Sequence, residues 1–304
     1  MVLVIMQQSG SISDPLEILK GITSIGIDGC FGLSLISNFI VIWDNIDPKI
    51  LEEYIKLLKK EWLQETRKIL DFVLEITGKK NIYIQDFIGL MKLIKKDYKK
   101  FIFDLDHTLL IPDWAREDDY LREKVDLKEQ KEFFKVKQHI LNEYEWTFPK
   151  CEYKTLSDRF KEYGFHLNED MLAEWMKYNW ETIEDKIVDG AVDILKYLKW
   201  RGKKIVILTN WFAATQKPRL ERSGLISYID KIVAGDDAMK PNLQSFNLAI
   251  WDVDRNDCIM VGDKFETDGL GAKNADIDYF ILGKFSIKDL FHIMVEKDKL
   301  DIWE

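Results

Sequence analysis

The sequence predicts an α/β fold in which a Rossmann-like parallel sheet carries helices on both faces. From residue 188 onward, helical patterns alternate with short apolar strands, and this alternation is typical of parallel sheets. The strongly apolar run at residues 101–105 indicates a strand that is buried on both faces. Polar and acidic residues follow several of these strands directly, at the edge of a parallel sheet where ligands bind.

Residues 1–96 predict an additional α/β region before this sheet. Its predicted elements are two strands, a long charged helix and a third strand at residues 22–27, 39–43, 48–76 and 81–85. The weakly polar stretch at residues 29–43 is too short to span a bilayer, so a buried hairpin is expected there. A lysine-rich stretch at residues 95–100 then indicates an exposed connection. A domain boundary near residue 96 follows.

The remaining residues divide into a helical segment and the alternating region. Residues 113–186 show helical patterns, with turn signals near residue 149 and at Gly164, and predict a small helical bundle. After it, the predicted elements are helix 191–200, strand 204–208, helix 213–223, strand 231–233, helix 242–250, strand 258–261 and strand 279–282.

Composition and charge exclude several classes of protein. The 304 residues are 46% hydrophobic and 32% charged, which is the balance of a globular chain and not of a disordered one. A net charge of -9 argues against general affinity for nucleic acid or anionic membranes. The three cysteines lie far apart and form no CxxC pair, which favours a reducing compartment and hence the cytoplasm. The apolar opening, six residues long, is too short for a signal peptide.

Two carboxylates, Asp104 and Asp106, stand two residues apart where the first strand of the sheet runs into a loop. Neighbouring acids repel one another, and burial disfavours their charged form unless a cation or hydrogen-bond donors compensate. Other strand ends supply further polar groups, namely Thr209, Asn210, Lys240, Asp263 and Asp268. Because the carboxyl ends of parallel strands meet at one edge, a single site is expected. Its excess of carboxylates predicts a Mg²⁺ ion, which together with the lysine would bind a phosphoryl group.

Four motifs, in this order, resemble those of the haloacid dehalogenase superfamily. They are Asp104-x-Asp106-x-Thr108, the strand-terminal Thr209, the pair Lys240-Pro241, and Gly262-Asp263 followed by Asp268. The resemblance covers about residues 99–290 and leaves the role of residues 1–96 open. It implies a catalytic core at residues 97–112 and 187–304, with a helical C1-type cap at residues 113–186 inserted after the first strand.

The resemblance also implies a role for each acid of the first motif. Asp104 would be the nucleophile that becomes an aspartyl phosphate. Asp106 would be the general acid and base, which protonates the leaving oxygen and then deprotonates the hydrolytic water. Dehalogenases of this superfamily lack an acid at the second position, whereas phosphatases and phosphomutases keep it. Phosphoryl chemistry is therefore favoured.

The other motifs imply binding roles. Thr209 and Asn210 would hold phosphoryl oxygens, and Lys240 would offset the charge of the nucleophile and of the transferring group. The groups implied to hold Mg²⁺ are the carboxylates of Asp104 and Asp263, the backbone carbonyl of Asp106 and, directly or through the other ligands, Asp268.

Together these observations predict a Mg²⁺-dependent phosphatase of a small phosphomonoester, with no nucleic-acid or membrane partner. The stretches at residues 209–216 and 220–225 are similar to nucleotidase-like members of the superfamily, so the substrate is expected to be a nucleoside monophosphate or a sugar phosphate. A phosphomutase or phosphotransferase that uses the same acids is an alternative. A non-catalytic binding protein that uses its N-terminal region is another.

Overall fold

The computed structural model describes residues 3–4, 31–36, 39–44, 69, 72–79 and 82–299, and the structural statements below concern these residues. The chain divides into two compact units. The first comprises residues 1–96 and 292–304, and the second comprises residues 97–291. Among the described helices, none is long and apolar enough to cross a membrane.

The first unit contains a four-stranded antiparallel sheet and a helix. In chain order, its described elements are β1 (Leu3–Val4), β2 (Phe31–Ile36), β3 (Phe39–Asp44), β4 (Ile82–Tyr83) and α1 (Ile84–Lys95). The spatial order is β1-β3-β2-β4. Antiparallel pairing of β2 with β3, from Phe31 opposite Asp44 to Ile36 opposite Phe39, confirms the expected hairpin.

Three predictions for this unit need correction or lie wholly or partly outside the described residues. The strand predicted at residues 81–85 is only two residues long, because helix α1 begins at Ile84. Buried Leu90, Leu93 and Ile94 then supply the apolar face of that helix. The strand predicted at residues 22–27 lies outside the described residues. Of the helix predicted at residues 48–76, residues 69 and 72–77 are described, and they are helical.

The second unit is built on a five-stranded parallel sheet, which confirms the predicted fold class. Its elements are β5 (Lys100–Phe103), β6 (Leu110–Asp113), α2 (Asp119–Lys124), α3 (Gln130–Thr147), α4 (Tyr153–Glu162), α5 (Glu169–Thr182), β7 (Glu184–Ile187), α6 (Ala191–Trp200), β8 (Lys204–Leu208), α7 (Ala213–Arg222), β9 (Lys231–Val233), α8 (Leu243–Ile250), β10 (Cys258–Gly262), α9 (Leu270–Asn274), β11 (Asp278–Ile281) and α10 (Ile287–Lys299), the last of which continues into the first unit.

The strand order β11-β10-β5-β8-β9 places β5 in the centre of the sheet. All four of its residues are buried, as the apolar run predicts. Phe103, the last residue of β5, pairs with Ile207 of β8 on one side and with Val261 of β10 on the other. The three central strands therefore end together, and the residues that follow them leave the sheet at one edge.

A two-stranded antiparallel ribbon connects the helical segment to the sheet. Strands β6 and β7 pair from Leu110 opposite Ile187 to Asp113 opposite Glu184. Helices α2 to α5 lie between these strands in the chain, as predicted for residues 113–186, but the final residues of that range form β7 and not a helix. The reason is the two-residue alternation of burial in both strands, which fits a ribbon and not a helical period.

Aromatic side chains fill the core of the helical segment. Trp175 and Phe133 are fully buried, and the rings of Phe133 and Phe160 stack with centroids 5.6 Å apart. The indole nitrogen of Trp175 donates to the backbone carbonyl of Glu117 at 2.9 Å, so the one polar atom of this side chain is satisfied despite burial.

Candidate active site at the edge of the parallel sheet

All of the sequence-predicted site residues line one cavity of about 330 Å³ at the carboxyl edge of the parallel sheet. They are Asp104, Asp106, Thr209, Asn210, Lys240, Asp263 and Asp268. The helical segment contributes further lining residues, including Trp114, Glu117, Leu141 and Asn142. The strands bring together side chains that are up to 164 residues apart in the sequence, from 104 to 268.

Backbone hydrogen bonds extend the strand pairing into the site. The amide of Asp104 donates to the carbonyl of Val261 at 2.9 Å, and the amide of Thr209 donates to the carbonyl of Val233 at 3.0 Å. After Asp106 the chain turns sharply, with His107 in the left-handed region at φ 63°, where histidine is among the tolerated side chains. The amide of His107 donates to the carbonyl of Leu110 at 2.7 Å and closes the turn into β6.

The first group of charges is the Lys240 cluster, which we define as Lys240, Asp104, Asp263 and Asp268. Lys240 Nζ lies 2.5 Å from Asp104 Oδ1 and 2.6 Å from Asp268 Oδ1. All three of these side chains are buried. Gly262 makes this approach feasible, because a Cβ atom at that position would lie 2.1 Å from Asp268 Oδ2. The second oxygen of Asp104 accepts a hydrogen bond from Thr108 Oγ1 at 3.2 Å.

Burial and the neighbouring opposite charges have opposing effects on the pKa values of Asp104 and Lys240. Burial raises the pKa of Asp104 to about 7, while the Lys240 ammonium group opposes this rise. Burial would lower the pKa of Lys240, but the carboxylates of Asp104 and Asp268 outweigh it and raise the pKa. Asp263 is accessible to solvent, yet partial desolvation and the nearby Asp268 raise its pKa. The cluster therefore holds more negative charge than its lysine offsets.

The Lys240 cluster has a donor set that fits a hard divalent cation. Asp104, Asp263 and Asp268 each offer a carboxylate oxygen, and these oxygens lie within 4.8 Å of one another. Three carboxylates against one ammonium group leave two negative charges. Carboxylate oxygens in such an arrangement are the ligands that Mg²⁺ uses in proteins. The fourth predicted ligand, the backbone carbonyl of Asp106, stays a prediction.

The two predicted phosphate-binding residues already take part in local hydrogen bonds. Asn210 spans the backbone of Lys240: its Nδ2 donates to the carbonyl at 2.9 Å, and its Oδ1 accepts from the amide at 2.6 Å. The amide side chain therefore fixes the backbone from which the lysine extends. Thr209 is buried, and its Oγ1 accepts a hydrogen bond from Gln216 Nε2 at 2.8 Å. Contacts of Thr209 and Asn210 with a phosphoryl group stay predictions.

The second group of charged residues in the site was not predicted from the sequence. This Arg219 cluster consists of Arg219, Asp106, Asp185 and Gln216. Arg219 Nη2 lies 2.6 Å from Asp106 Oδ1 and 2.6 Å from Asp185 Oδ1, and Arg219 Nε lies 3.1 Å from each oxygen of Asp185. Gln216 Nε2 donates to Asp106 Oδ2 at 2.9 Å, and Gln216 Oε1 accepts from Arg219 Nη1. Although burial favours its neutral form, the two carboxylates raise the pKa of Arg219.

The sequence did contain a signal for the Arg219 cluster. Phe212, Gln216, Arg219 and Leu220 occupy positions i, i+4, i+7 and i+8, which is the spacing of one helix face. The structure buries all four side chains. Two of the four are polar, so a helix face that packs inward carries a glutamine and an arginine, and such residues need partners in the interior.

Comparison with known protein families matches residues 98–276 of this chain to the haloacid dehalogenase-like hydrolases.

Several curated proteins share shorter segments with this chain. Pyrimidine 5'-nucleotidase YjjG of Escherichia coli is 41% identical over 93 residues, which are 29% of this chain and 41% of YjjG. Pyrophosphatase PpaX of Halalkalibacterium halodurans is 33% identical over 140 residues, which are 44% of this chain and 64% of PpaX. Pyrimidine 5'-nucleotidase PynA of Streptococcus pneumoniae is 25% identical over 194 residues, 60% of this chain and 82% of PynA. The chain thus spans less than two thirds of YjjG and of PpaX.

Among solved structures, a magnesium-bound structure of YfnB from Bacillus subtilis is similar to this chain. The two share 23% sequence identity with a TM-score of 0.47, and the match covers 66% of this chain and all of YfnB.

Proposed function

Because the matched residues make up more than half of the chain, it belongs to the haloacid dehalogenase-like hydrolase family, and on this premise we propose that it is a Mg²⁺-dependent phosphatase of small phosphomonoesters. One observation carries the proposal. Asp104 and Asp106, two residues apart at the end of β5, line the same cavity but bind different cations, Lys240 and Arg219. Two acids with different surroundings can take different roles in one reaction.

Asp104 is the nucleophile in this proposal. A carboxylate oxygen of Asp104 forms a bond to phosphorus while the bond to the leaving oxygen breaks, which gives an aspartyl phosphate. Lys240 lies 2.5 Å from the Asp104 carboxylate and favours the charged form that attack requires, against the effect of burial. The Thr108 hydroxyl, 3.2 Å from Asp104 Oδ2, limits the rotation of the same carboxylate.

Asp106 is the general acid and base. It gives a proton to the leaving oxygen in the first step and takes a proton from the attacking water in the second, after which the bond between Asp104 and phosphorus breaks. Such proton transfer contributes on the order of 10² to 10⁴ in rate. Thr209, Asn210 and neighbouring backbone amides bind the phosphoryl oxygens.

The proposed metal ligands are Asp104, Asp263, Asp268 and the backbone carbonyl of Asp106. When bound there, Mg²⁺ supplies Lewis-acid stabilisation of negative charge on the phosphoryl oxygens. Without a divalent cation, the excess carboxylates of the Lys240 cluster repel an anionic substrate. We therefore expect the metal to be needed for binding as well as for catalysis.

The proposed substrate is a nucleoside monophosphate or a sugar phosphate. The names of YjjG and PynA describe pyrimidine 5'-nucleotidases, and we extend this class to the present chain as a proposal. The cavity supports a small substrate, because it measures about 330 Å³ and combines the rings of Trp114 and Trp211 with the polar side chains of Glu117 and Asn142. In this proposal residues 113–186 form the cap over a core of residues 97–112 and 187–304.

Phosphate release tests the proposal. The purified full-length protein should release inorganic phosphate from 4-nitrophenyl phosphate with Mg²⁺, lose this activity in excess EDTA and regain it when Mg²⁺ is restored. A panel of nucleoside monophosphates and sugar phosphates then ranks substrates by kcat/KM. Full activity in excess EDTA contradicts the metal dependence. Transfer of the phosphoryl group to a second hydroxyl without phosphate release would instead identify a phosphomutase or phosphotransferase.

A further inference from the structure

Arg219, Asp185 and Gln216 have no part in the chemistry proposed so far, yet Arg219 and Gln216 bind the proposed acid-base residue, Asp106, one on each carboxylate oxygen. Arg219 is fully buried, and Gln216 is buried beside it. A buried guanidinium group costs several kcal/mol of desolvation unless its charge is paired and its donors are used. Here Nε, Nη1 and Nη2 all have acceptors. The cluster is therefore a satisfied network and not an accidental contact.

The two carboxylates of the cluster reach Arg219 from different elements. Asp106 follows β5, whereas Asp185 belongs to β7 and its side chain is 4% exposed. Asp185 contacts both Nε and Nη2 of the guanidinium group, an arrangement that fixes the planar fork of an arginine in one orientation. With the guanidinium plane fixed in this way, the other N–H of Nη2 donates to Asp106 Oδ1. A lysine ammonium group in this place would have three donors on a single rotating nitrogen, and so would lack the planar fork that fixes the directions of Asp185 and Asp106.

We propose that Arg219, held by Asp185, is the positioning residue of Asp106 and sets the orientation in which its carboxyl group exchanges protons. This inference rests on the proposed acid-base role of Asp106. The charged Arg219 stays hydrogen-bonded to Asp106 Oδ1 throughout the reaction. Oδ2, whose partner is the neutral Gln216 amide at 2.9 Å, is the oxygen that exchanges this partner for the leaving oxygen or the water.

The proton balance follows this division of the two oxygens. In the first step the proton on Asp106 Oδ2 passes to the leaving oxygen as the bond between that oxygen and phosphorus breaks. In the second step water loses a proton to the same Oδ2 as its oxygen bonds to phosphorus and the bond to Asp104 breaks. Arg219 keeps its protons in both steps, so it acts through Asp106 and not on the substrate.

A positioning role makes one specific prediction about leaving groups. A phenolate that carries a 4-nitro group departs without much help from an acid, whereas an unsubstituted phenolate is a poorer leaving group and depends more strongly on proton transfer. The two substrates have the same ring and nearly the same size. Loss of a correctly oriented Asp106 should therefore reduce turnover of phenyl phosphate more than turnover of 4-nitrophenyl phosphate.

The experiment compares kcat/KM for phenyl phosphate and 4-nitrophenyl phosphate in the full-length protein and in Arg219→Met. Because kcat/KM covers the steps up to departure of the phenolate, it reports the protonation step. We expect the ratio of the two values, phenyl over 4-nitrophenyl, to fall about tenfold in Arg219→Met, which is part of the effect of a general acid. A fraction of misfolded protein cancels in the ratio. Arg219→Lys keeps the positive charge but not the planar fork, so its ratio should lie between those of Arg219→Met and the wild type.

Two further variants separate the outcomes. Arg222→Met is the matched control, because Arg222 lies one turn along the same helix and binds Asp185 Oδ2 at 3.1 Å, with no contact to Asp106 among the described residues. Its ratio should equal that of the wild type. Asp106→Asn should lower the ratio at least as much as Arg219→Met.

If Arg219→Met slows both substrates equally and leaves the ratio unchanged, while Asp106→Asn still lowers the ratio, the positioning role is overturned. If Asp106→Asn also leaves the ratio unchanged, the acid-base role of Asp106 in the proposed function fails, and the positioning role fails with it.

Discussion

The Lys240 cluster and the Arg219 cluster are both built around a buried cation that binds two carboxylates. In each, one acid comes from the pair after β5 and the other from a later element: Asp104 and Asp268 for Lys240, Asp106 and Asp185 for Arg219. The difference lies in the charge balance. Asp263 adds a third carboxylate to the Lys240 cluster, whereas Arg222 adds a second cation beside Asp185.

Because of this difference, the Lys240 cluster is suited to binding a cation, whereas the Arg219 cluster is suited to orienting a side chain. Three acids with one lysine attract a further cation, and their oxygens are close enough together to share one. In the Arg219 cluster, the charges of Asp106 and Asp185 are balanced by Arg219 and by the neighbouring Arg222, so no charge is left to attract an ion. The planar donors of Arg219 instead hold Asp106 in a defined orientation. Two carboxylates only two residues apart can thus serve different functions, because the cation next to each one differs in number of donors and in shape.

The largest expected effect is the loss of the nucleophile in Asp104→Asn. An asparagine nearly matches the carboxylate in shape but is a poor nucleophile, so phosphate release should fall on the order of 10³-fold or more. The control is Asp185→Asn, the same change at an acid of the Arg219 cluster, which should retain measurable turnover. Steady-state rates are measured alongside the melting temperature of each variant. Residual activity of Asp104→Asn within tenfold of wild type would assign the nucleophile to another residue.

A second effect concerns stability, and it tests whether the two clusters differ in their response to Mg²⁺. Lys240→Met leaves the buried Asp104 and Asp268 without a cation, whereas Arg219→Met leaves Asp185 with only the exposed Arg222 as a cationic partner. Removal of one partner of a buried ion pair should lower the free energy of unfolding by about 3 to 5 kcal/mol. Mg²⁺ should recover part of the loss in Lys240→Met, with about 2.7 kcal/mol available at a hundredfold excess over its Kd. In Arg219→Met the Lys240 cluster is intact, so Mg²⁺ should stabilise this variant only as much as it stabilises the wild type. Stabilisation of Lys240→Met should be greater, because that variant has lost the ammonium group that offsets part of the carboxylate charge.

Urea denaturation with Mg²⁺ and with EDTA measures these differences. Arg222→Met serves as the control, because its side chain is 40% exposed and an exposed ion pair contributes about 1 kcal/mol or less. Equal stabilisation of Lys240→Met and of the wild type by Mg²⁺ would show that the charge balance of the Lys240 cluster does not determine metal binding.

A smaller effect is expected from Thr209→Val, which removes a hydroxyl group that contacts the Arg219 cluster. Gln216 donates to Thr209 and to Asp106, so the change disturbs a proposed phosphoryl ligand and a neighbour of the acid-base residue together. We expect kcat/KM to fall about tenfold, the value of one hydrogen bond to a charged group. Thr215→Val is the control. Thr215 is equally buried and donates to the carbonyl of Met176 at 3.2 Å, away from the phosphoryl group, so its effect should be on stability alone.

Much of the sheet and of the Lys240 cluster could be predicted from the sequence, because both depend on local signals. Strand 204–208 and helix 191–200 have the predicted bounds, since apolar runs and helical periods are properties of short windows. Once β5, β8 and β10 are assigned as parallel neighbours, the residues at their carboxyl ends must meet. Asp104, Thr209 and Asp263 follow from that rule without any knowledge of side-chain geometry.

The Arg219 cluster could not be predicted in the same way. A Gln and an Arg on a charged helix are normally exposed to solvent. Their spacing from Phe212 and Leu220 indicates a shared helix face, but only the packing of α7 shows which acids that face meets. Asp185 was assigned to a helical pattern, so its position opposite Pro112 in a ribbon was missed too. For Gln216, Arg219 and Asp185 the deciding information is a contact with a distant part of the chain, which no short window contains. Helices α1 and α10 are local patterns that the prediction missed.

The ribbon of β6 and β7 makes the helical segment a replaceable module. The chain leaves the parallel sheet and returns to it through Asp113 and Glu184, which are directly paired across the ribbon, so the two ends of residues 114–183 are already close together. A different segment joined at these two residues would need no change in the strands of the sheet, but it would have to cover Phe212 and Met239, which pack in the core of the present segment. Its length would be nearly unconstrained by closure entropy. Asp185 lies just inside the retained part and would continue to hold Arg219. Substrate preference could then be exchanged by grafting new segments at this neck while the acid-base residue keeps its orientation.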